Sequence, residues 1–191
     1  MMSVGKFHRT VMAGGRRLPA MGRPFRRFVR AQEGNTAVEF GMIAAPFIAL
    51  LFAIFETSLV FLAGQSLETG VSTAGRMIRT GQVQVQGLSE AQFKTLICTG
   101  QPAMIDCANK VRVDVRNFPN FGAVNLPPPL DANGDLANNF VYQPGTASDV
   151  VVVRAFFDWD LLIPDGLTGL SNMNGSKRLI AASAAFRNEP F

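Results

Sequence analysis

Residues 40–63 read FGMIAAPFIALLFAIFETSLVFLA, 24 positions with a single charge, Glu56. As a helix this stretch rises about 36 Å at about 1.5 Å per residue, against a hydrocarbon core about 30 Å thick. It is apolar on every face, whereas a helix that covers a globular core keeps a polar side. The reading is a membrane span crossed with some tilt, set against a buried core helix as the alternative. Pro46 removes a backbone donor inside the run, so a kink or a loosened turn is expected there. For Glu56 three readings stand: protonated, paired with a partner helix, or reaching the outer interface by tilt. Thr57 and Ser58 beside it suit a helix emerging into headgroups, which favours the last.

The charges around the span orient it. The chain has 191 residues, 48% hydrophobic and 17% charged, with net charge +4. Residues 1–34 hold eight Lys/Arg and one acid, so the remainder is mildly acidic. A nucleic-acid-binding domain is disfavoured, since its positive charge would have to lie on the folded part. Arg23, Arg26, Arg27 and Arg30 precede the span, and the first cations after it are Arg76 and Arg79. By the positive-inside rule the head stays in the cytoplasm and residues 65–191 are exported. The head contains no apolar stretch of the kind a secretory signal requires. An Arg-rich, acid-poor head is also compatible with an organellar presequence, which stays open as an alternative.

Reactive residues are few. The one His, His8, lies in the basic head, so a Ser–His–Asp triad, a His-based zinc site or a Cys–His pair would all have to use it. Neither a P-loop nor a GxGxxG motif occurs, and no enzyme, cofactor or metal is expected. Cys98 and Cys107 are too far apart for a CxxC redox motif. In an exported domain they are expected to form a disulfide closing a short loop, with two free buried thiols as the alternative.

Beyond the span, Leu67, Val71, Ala74 and Ile78 fall on one stripe, which extends the helix over residues 65–80. Gly70 and Gly75 weaken it locally, and residues 81–87 read as a break. Ser89 is placed as an N-cap for a helix over 90–97, with Phe93, Leu96 and Ile97 inward. Residues 110–118 alternate: Val111, Val113 and Val115 face a core, while Lys110, Arg112, Asp114 and Arg116 face solvent. Residues 119–145 hold five Pro and read as a long loop. Residues 149–163 are strongly strand-prone and bury Phe156 or Phe157, and residues 176–187 form a third strand or a short helix. Antiparallel pairing of adjacent strands gives an α+β fold, with the helix stripe covering one face of about three strands.

The junction between head and span reads Glu33-Gly34-Asn35-Thr36-Ala37-Val38-Glu39-Phe40-Gly41. Gly, four residues, an acid, an aromatic and then an apolar helix resemble the processing site of type IVb prepilins. The wider stretch, with the Arg-rich head before it and FRNEPF at 186–191, is similar to TadE-like pseudopilins of the Flp/Tad (tight adherence) pilus system. The resemblance implies cleavage after Gly34 by a prepilin peptidase, leaving Asn35 as the new N-terminus. It implies that Glu39 meets the terminal amine of a neighbouring subunit, which would offset the cost of a carboxylate at the edge of hydrocarbon. A plain interfacial acid, favoured by the helix dipole, is the alternative for Glu39. Phe40 stands where major Flp pilins usually have Tyr, and with the exported domain this points to a minor pseudopilin.

Three segments follow: a leader over 1–34 that is removed, a span over 35–64, and a periplasmic domain over 65–191. Gly41, Ala45, Ala49 and Ala53 form a small-residue ridge suited to close helix packing in lipid, with chance alanines as the alternative. The implied partners are Flp-type pilin, other pseudopilins, the prepilin peptidase, and an inner-membrane platform with its ATPase, all around a single-pass anchor in the bacterial inner membrane. An uncleaved single-pass periplasmic binding or envelope-scaffold protein is the competing reading. Asp131, Asn133 and Asp135 alternate as in calcium loops, but the glycine is misplaced and Tyr142 stands where the bidentate acid would be, so a surface turn is expected.

Overall fold

The computed structural model describes residues 32–103, 105–163 and 168–191. What was expected of the head up to residue 31 lies outside the described residues. The chain divides into two compact units that meet between Pro46 and Phe47, and the core lies in the second.

Helix α1 runs Gln32–Arg79, with Pro46 inside it. Its first part carries exposed apolar residues, including Phe40, Ile43, Phe47, Leu51 and Phe55. Its last part turns a stripe inward: Ala63, Leu67, Val71, Ala74 and Ile78 are fully buried. Burying a Leu or Ile side chain is worth about 1.5–3 kcal/mol, so this stripe fastens the helix to the sheet. Hydroxyls along α1 bond back to the preceding turn: Thr57 donates to the Ala53 carbonyl and Ser58 to that of Ile54, both at 2.8 Å. Neither hydroxyl needs water, which suits the emerging end of a span.

Where residues 81–87 read as a break, the structure has one helical turn, α2 (Gln82–Gln86), between Gly81 and Gly87, both in the left-handed region. Glycine punctuates the chain there without straightening it. Helix α3 (Glu90–Cys98) starts at Ser89 with a capping box closed by Gln92. It buries Phe93 and Ile97. Its far end approaches α1 so closely that a β-carbon on Gly70 would lie well under 3.0 Å from the Ile97 carbonyl. Gln101 seals the seam, its Nε2 donating to the carbonyls of Ser66 and Ile97 at 2.9 and 3.0 Å. Gly70 is thus required for helix packing, although it costs helix propensity.

Lys110 belongs to a one-turn helix, α4 (Cys107–Lys110), capped by Asp106, and not to the strand expected from residue 110. Strand β1 (Arg112–Phe118) pairs antiparallel with β2 (Val150–Asp160), which pairs antiparallel with β3 (Lys177–Arg187). The α+β architecture is as expected, and the last segment is a strand. The face towards α1 and α3 carries Val113, Val115, Val151, Val153, Ala155, Phe157, Trp159, Ile180 and Ala182. The other face is the surprise: Asp114 is fully buried, and Val150, Val152 and Phe156 are buried with it. The long 119–149 connection covers it, with Phe140 stacked on Phe156 at 5.3 Å and residues 141–143 pairing with Val115 along the β1 edge. Alternation in β1 therefore does not mark solvent.

The closing hexapeptide ties three parts together. The Asn188 amide donates to the carbonyls of Pro144 and Thr146, and the Glu189 N–H donates to the Arg79 carbonyl at the end of α1. The Phe191 ring lies against Gly81, where a β-carbon would collide with it.

Candidate functional site

The residues proposed for processing and assembly all lie in the first turns of α1. Gly34 is exposed, and a β-carbon there would meet nothing within 4 Å. Helix α1 is described from Gln32, so the Gly34–Asn35 bond lies within it, and glycine as a weak helix former lowers the cost of opening the backbone there. Glu39 is exposed one turn further on, followed by Phe40 at 73% exposure. On the packing ridge Gly41, Ala45 and Ala49 are exposed, whereas Ala53 is half-buried.

Glu56 is covered by protein and is not open to solvent, at 1% exposure. The backbone N–H groups of Leu162 and Ile163, just after β2, donate to its Oε1. Its Oε2 is buried without a hydrogen-bond partner among the described residues. The folded unit consequently grips α1 from Glu56 onward, inside the apolar run. The sequence signal is the Leu161-Leu162-Ile163 run, which continues past the end of β2.

A second polar group sequence reasoning missed is the cluster behind the sheet. Asp114 lies directly across from Arg154 in the β1–β2 register. Arg154 donates from Nε and Nη2 to Asp114 Oδ2 at 3.1 and 2.5 Å, and from Nη1 to the Pro127 carbonyl at 2.9 Å. Arg116 Nε adds bonds at 3.0 Å to both carboxylate oxygens, and the Val141 N–H adds one at 2.9 Å. Burial pushes the Asp114 carboxyl upward, but the Arg116, Arg154 and Val141 hydrogen bonds outweigh it and hold the group below the usual carboxylate range. The Arg154 guanidinium also lies 5.2 Å from the Phe156 ring centroid. This cluster fixes the loop to the sheet. Its signal was Arg154 itself, a lone charge inside VVVRAFF.

Cys98 and Cys107 form the expected disulfide, joining the end of α3 to the start of α4. The Asp131 carboxylate accepts from the N–H groups of Asn133 and Asp135, so that loop is a self-closed turn. Among the described residues, no group of three or more His, Cys, Asp and Glu is placed to hold a metal ion. Two open grooves follow the seam between α1 and β3. One, of about 510 Å³, is lined by Phe61, Gln65, Glu68, Leu170 and Arg178 among others, and one of about 430 Å³ by Ser72, Arg76, Arg79 and Phe186 among others. Neither gathers residues of a catalytic set.

Residues 34–76 match the family model of TadE-like protein. The match starts at the glycine of the junction motif and runs to Arg76, within the stripe that seats α1 on the sheet. No curated protein matches the chain, and no solved structure matches it.

Proposed function

We propose that the chain is a minor pseudopilin of an Flp/Tad-type pilus system, anchored by α1 in the bacterial inner membrane with residues 65–191 in the periplasm. Its role is structural and not enzymatic: helix packing with Flp-type pilin and other pseudopilins primes, caps or regulates assembly by an inner-membrane platform and its ATPase. A prepilin peptidase cuts after Gly34. The new amine at Asn35 then pairs with Glu39 of a neighbour, which removes two charges from the edge of hydrocarbon. The Gly41–Ala45–Ala49–Ala53 ridge lets helix backbones approach.

The observation that carries this reading is where the family match begins, at Gly34, with the exposed apolar helix immediately after it. N-terminal sequencing of protein from native membranes tests it. A mature chain starting at Asn35 is the expected result, and a chain retaining the head overturns it. The competing reading is an uncleaved single-pass binding or scaffold protein that keeps the head. The same measurement separates the two.

A further inference from the structure

The loop after β2 meets α1 at a level where the helix is still apolar. Leu162 and Ile163 donate to Glu56 Oε1, and Cα–Cβ bonds tilt towards a helix N-terminus, so this contact lies beside the turn before Glu56. Ala63, where the apolar run ends, is about 10 Å further along the axis. At the level of the loop Phe52, Ile54 and Phe55 are exposed, and Phe61 is 70% exposed a little beyond. Leu162 projects from the loop at 71% exposure. Three apolar residues, Leu161-Leu162-Ile163, stand between the strand and the turn-prone Pro164-Asp165-Gly166 of the sequence. The next residue back, Asp160, is ion-paired with Lys110 and Lys177, which supplies a polar rim.

We infer that the Leu161–Ile163 loop is a second membrane contact, in which Leu162 enters the headgroup–acyl boundary of the leaflet from which the domain emerges. The occupant is lipid because the loop's apolar surface lies at the level of the span's own apolar surface, and the latch to Glu56 fixes its depth. Glu56 serves this directly: its carboxylate satisfies two backbone donors that would otherwise enter the interface unpaired. The domain would then stand on the membrane by two points and resist swinging about the helix. This rests on the reading of α1 as a span.

The test uses the full chain in phosphatidylethanolamine–phosphatidylglycerol vesicles, with single cysteines at Leu162, Leu51 and Gln86 carrying an environment-sensitive fluorophore. The two native cysteines are bonded to each other, so the introduced thiol alone is labelled. Lipid-borne nitroxides should quench the L162C probe when placed shallowly and the L51C probe when placed deeply, and should leave Q86C to an aqueous quencher. Adding Glu56→Ala should return the L162C probe to water while L51C stays in lipid. An L162C probe as open to the aqueous quencher as Q86C, with L51C still in lipid, overturns the loop contact and leaves the span standing. Protection from both quenchers means that protein covers the loop, and also overturns it. An L51C probe open to water overturns the span, and this inference with it.

Discussion

Asp114 and Arg154 face each other across β1 and β2 and join by two hydrogen bonds behind the sheet, beneath the 119–149 connection. A buried carboxylate held by two guanidiniums keeps its charge, and the loop keeps its place through them. Removing one partner leaves the others charged and dry, which generally costs about 3–5 kcal/mol. Asp114→Ala is therefore expected to lower the denaturant midpoint of the detergent-solubilised chain by an amount in that range, whereas exposed Glu68→Ala should leave it nearly unchanged.

The same pair sets the acid limit. Because the Asp114 carboxyl is held low in the folded chain, its contribution is complete above the unfolded value of about 3.9 and is lost as pH falls through the lower folded value. The Thr146 N–H bond to Asp149 and the Lys110 bond to Asp160 lower those groups too, with the same sign. Melting temperature should fall below about pH 4, and Asp114→Asn should flatten that fall.

Tyr142 offers an alkaline probe, since the chain has a single tyrosine. Burial, reinforced by Glu90, pushes its hydroxyl up to about 12, and the hydroxyl lies 3.1 Å from the Leu88 carbonyl as a donor. Phenolate absorbance should rise with a midpoint near that value in the folded chain, and near about 10 in denaturant. The sign follows: stability is complete below the unfolded value and declines as pH rises through the folded one. A folded midpoint near the unfolded one would place this ring in water.

Gly70→Ala should destabilise despite alanine's better helix propensity. The added methyl meets the Ile97 carbonyl and Gln101, so α1 and α3 must part, at about 1–3 kcal/mol for overpacking. Gly41→Ala, with open space beyond it, should instead be neutral or slightly stabilising to the fold.

Opening the Cys98–Cys107 loop by paired alanine substitution should cost about 2–3 kcal/mol in the chain-entropy account for a loop of roughly ten residues. Thermal melting with and without reductant would show the same drop in the native chain and none in the variant.

Assembly can be separated from folding at two places on α1. Glu39→Ala should leave processing after Gly34 and domain melting unchanged while sharply reducing piliation. Ala45→Leu with Ala49→Leu should weaken co-purification with Flp-type pilin and leave melting intact. Unchanged piliation or co-purification would remove the corresponding contact from the mechanism.

Local chemistry was enough to read the long apolar helix, its inward stripe from Leu67 to Ile78, the Ser89 cap and the strand-rich second half, because each is written in neighbouring residues: period, cap, turn and charge order. The Cys98–Cys107 pairing was legible too, as two cysteines a short loop apart. Only the tertiary structure could decide what lies over each face. Alternation in β1 told which residues share a side, but the proline-rich connection between β1 and β2 folds back over the polar side and buries Asp114 against Arg154. Glu56 looked like an acid on its way to water, yet two backbone N–H groups more than a hundred residues away close over it. Gly70 looked like a weakness in a helix, and packing against Ile97 makes it a requirement. The pattern within an element reports its own geometry, whereas burial, pairing and close approach are properties of the element that arrives opposite.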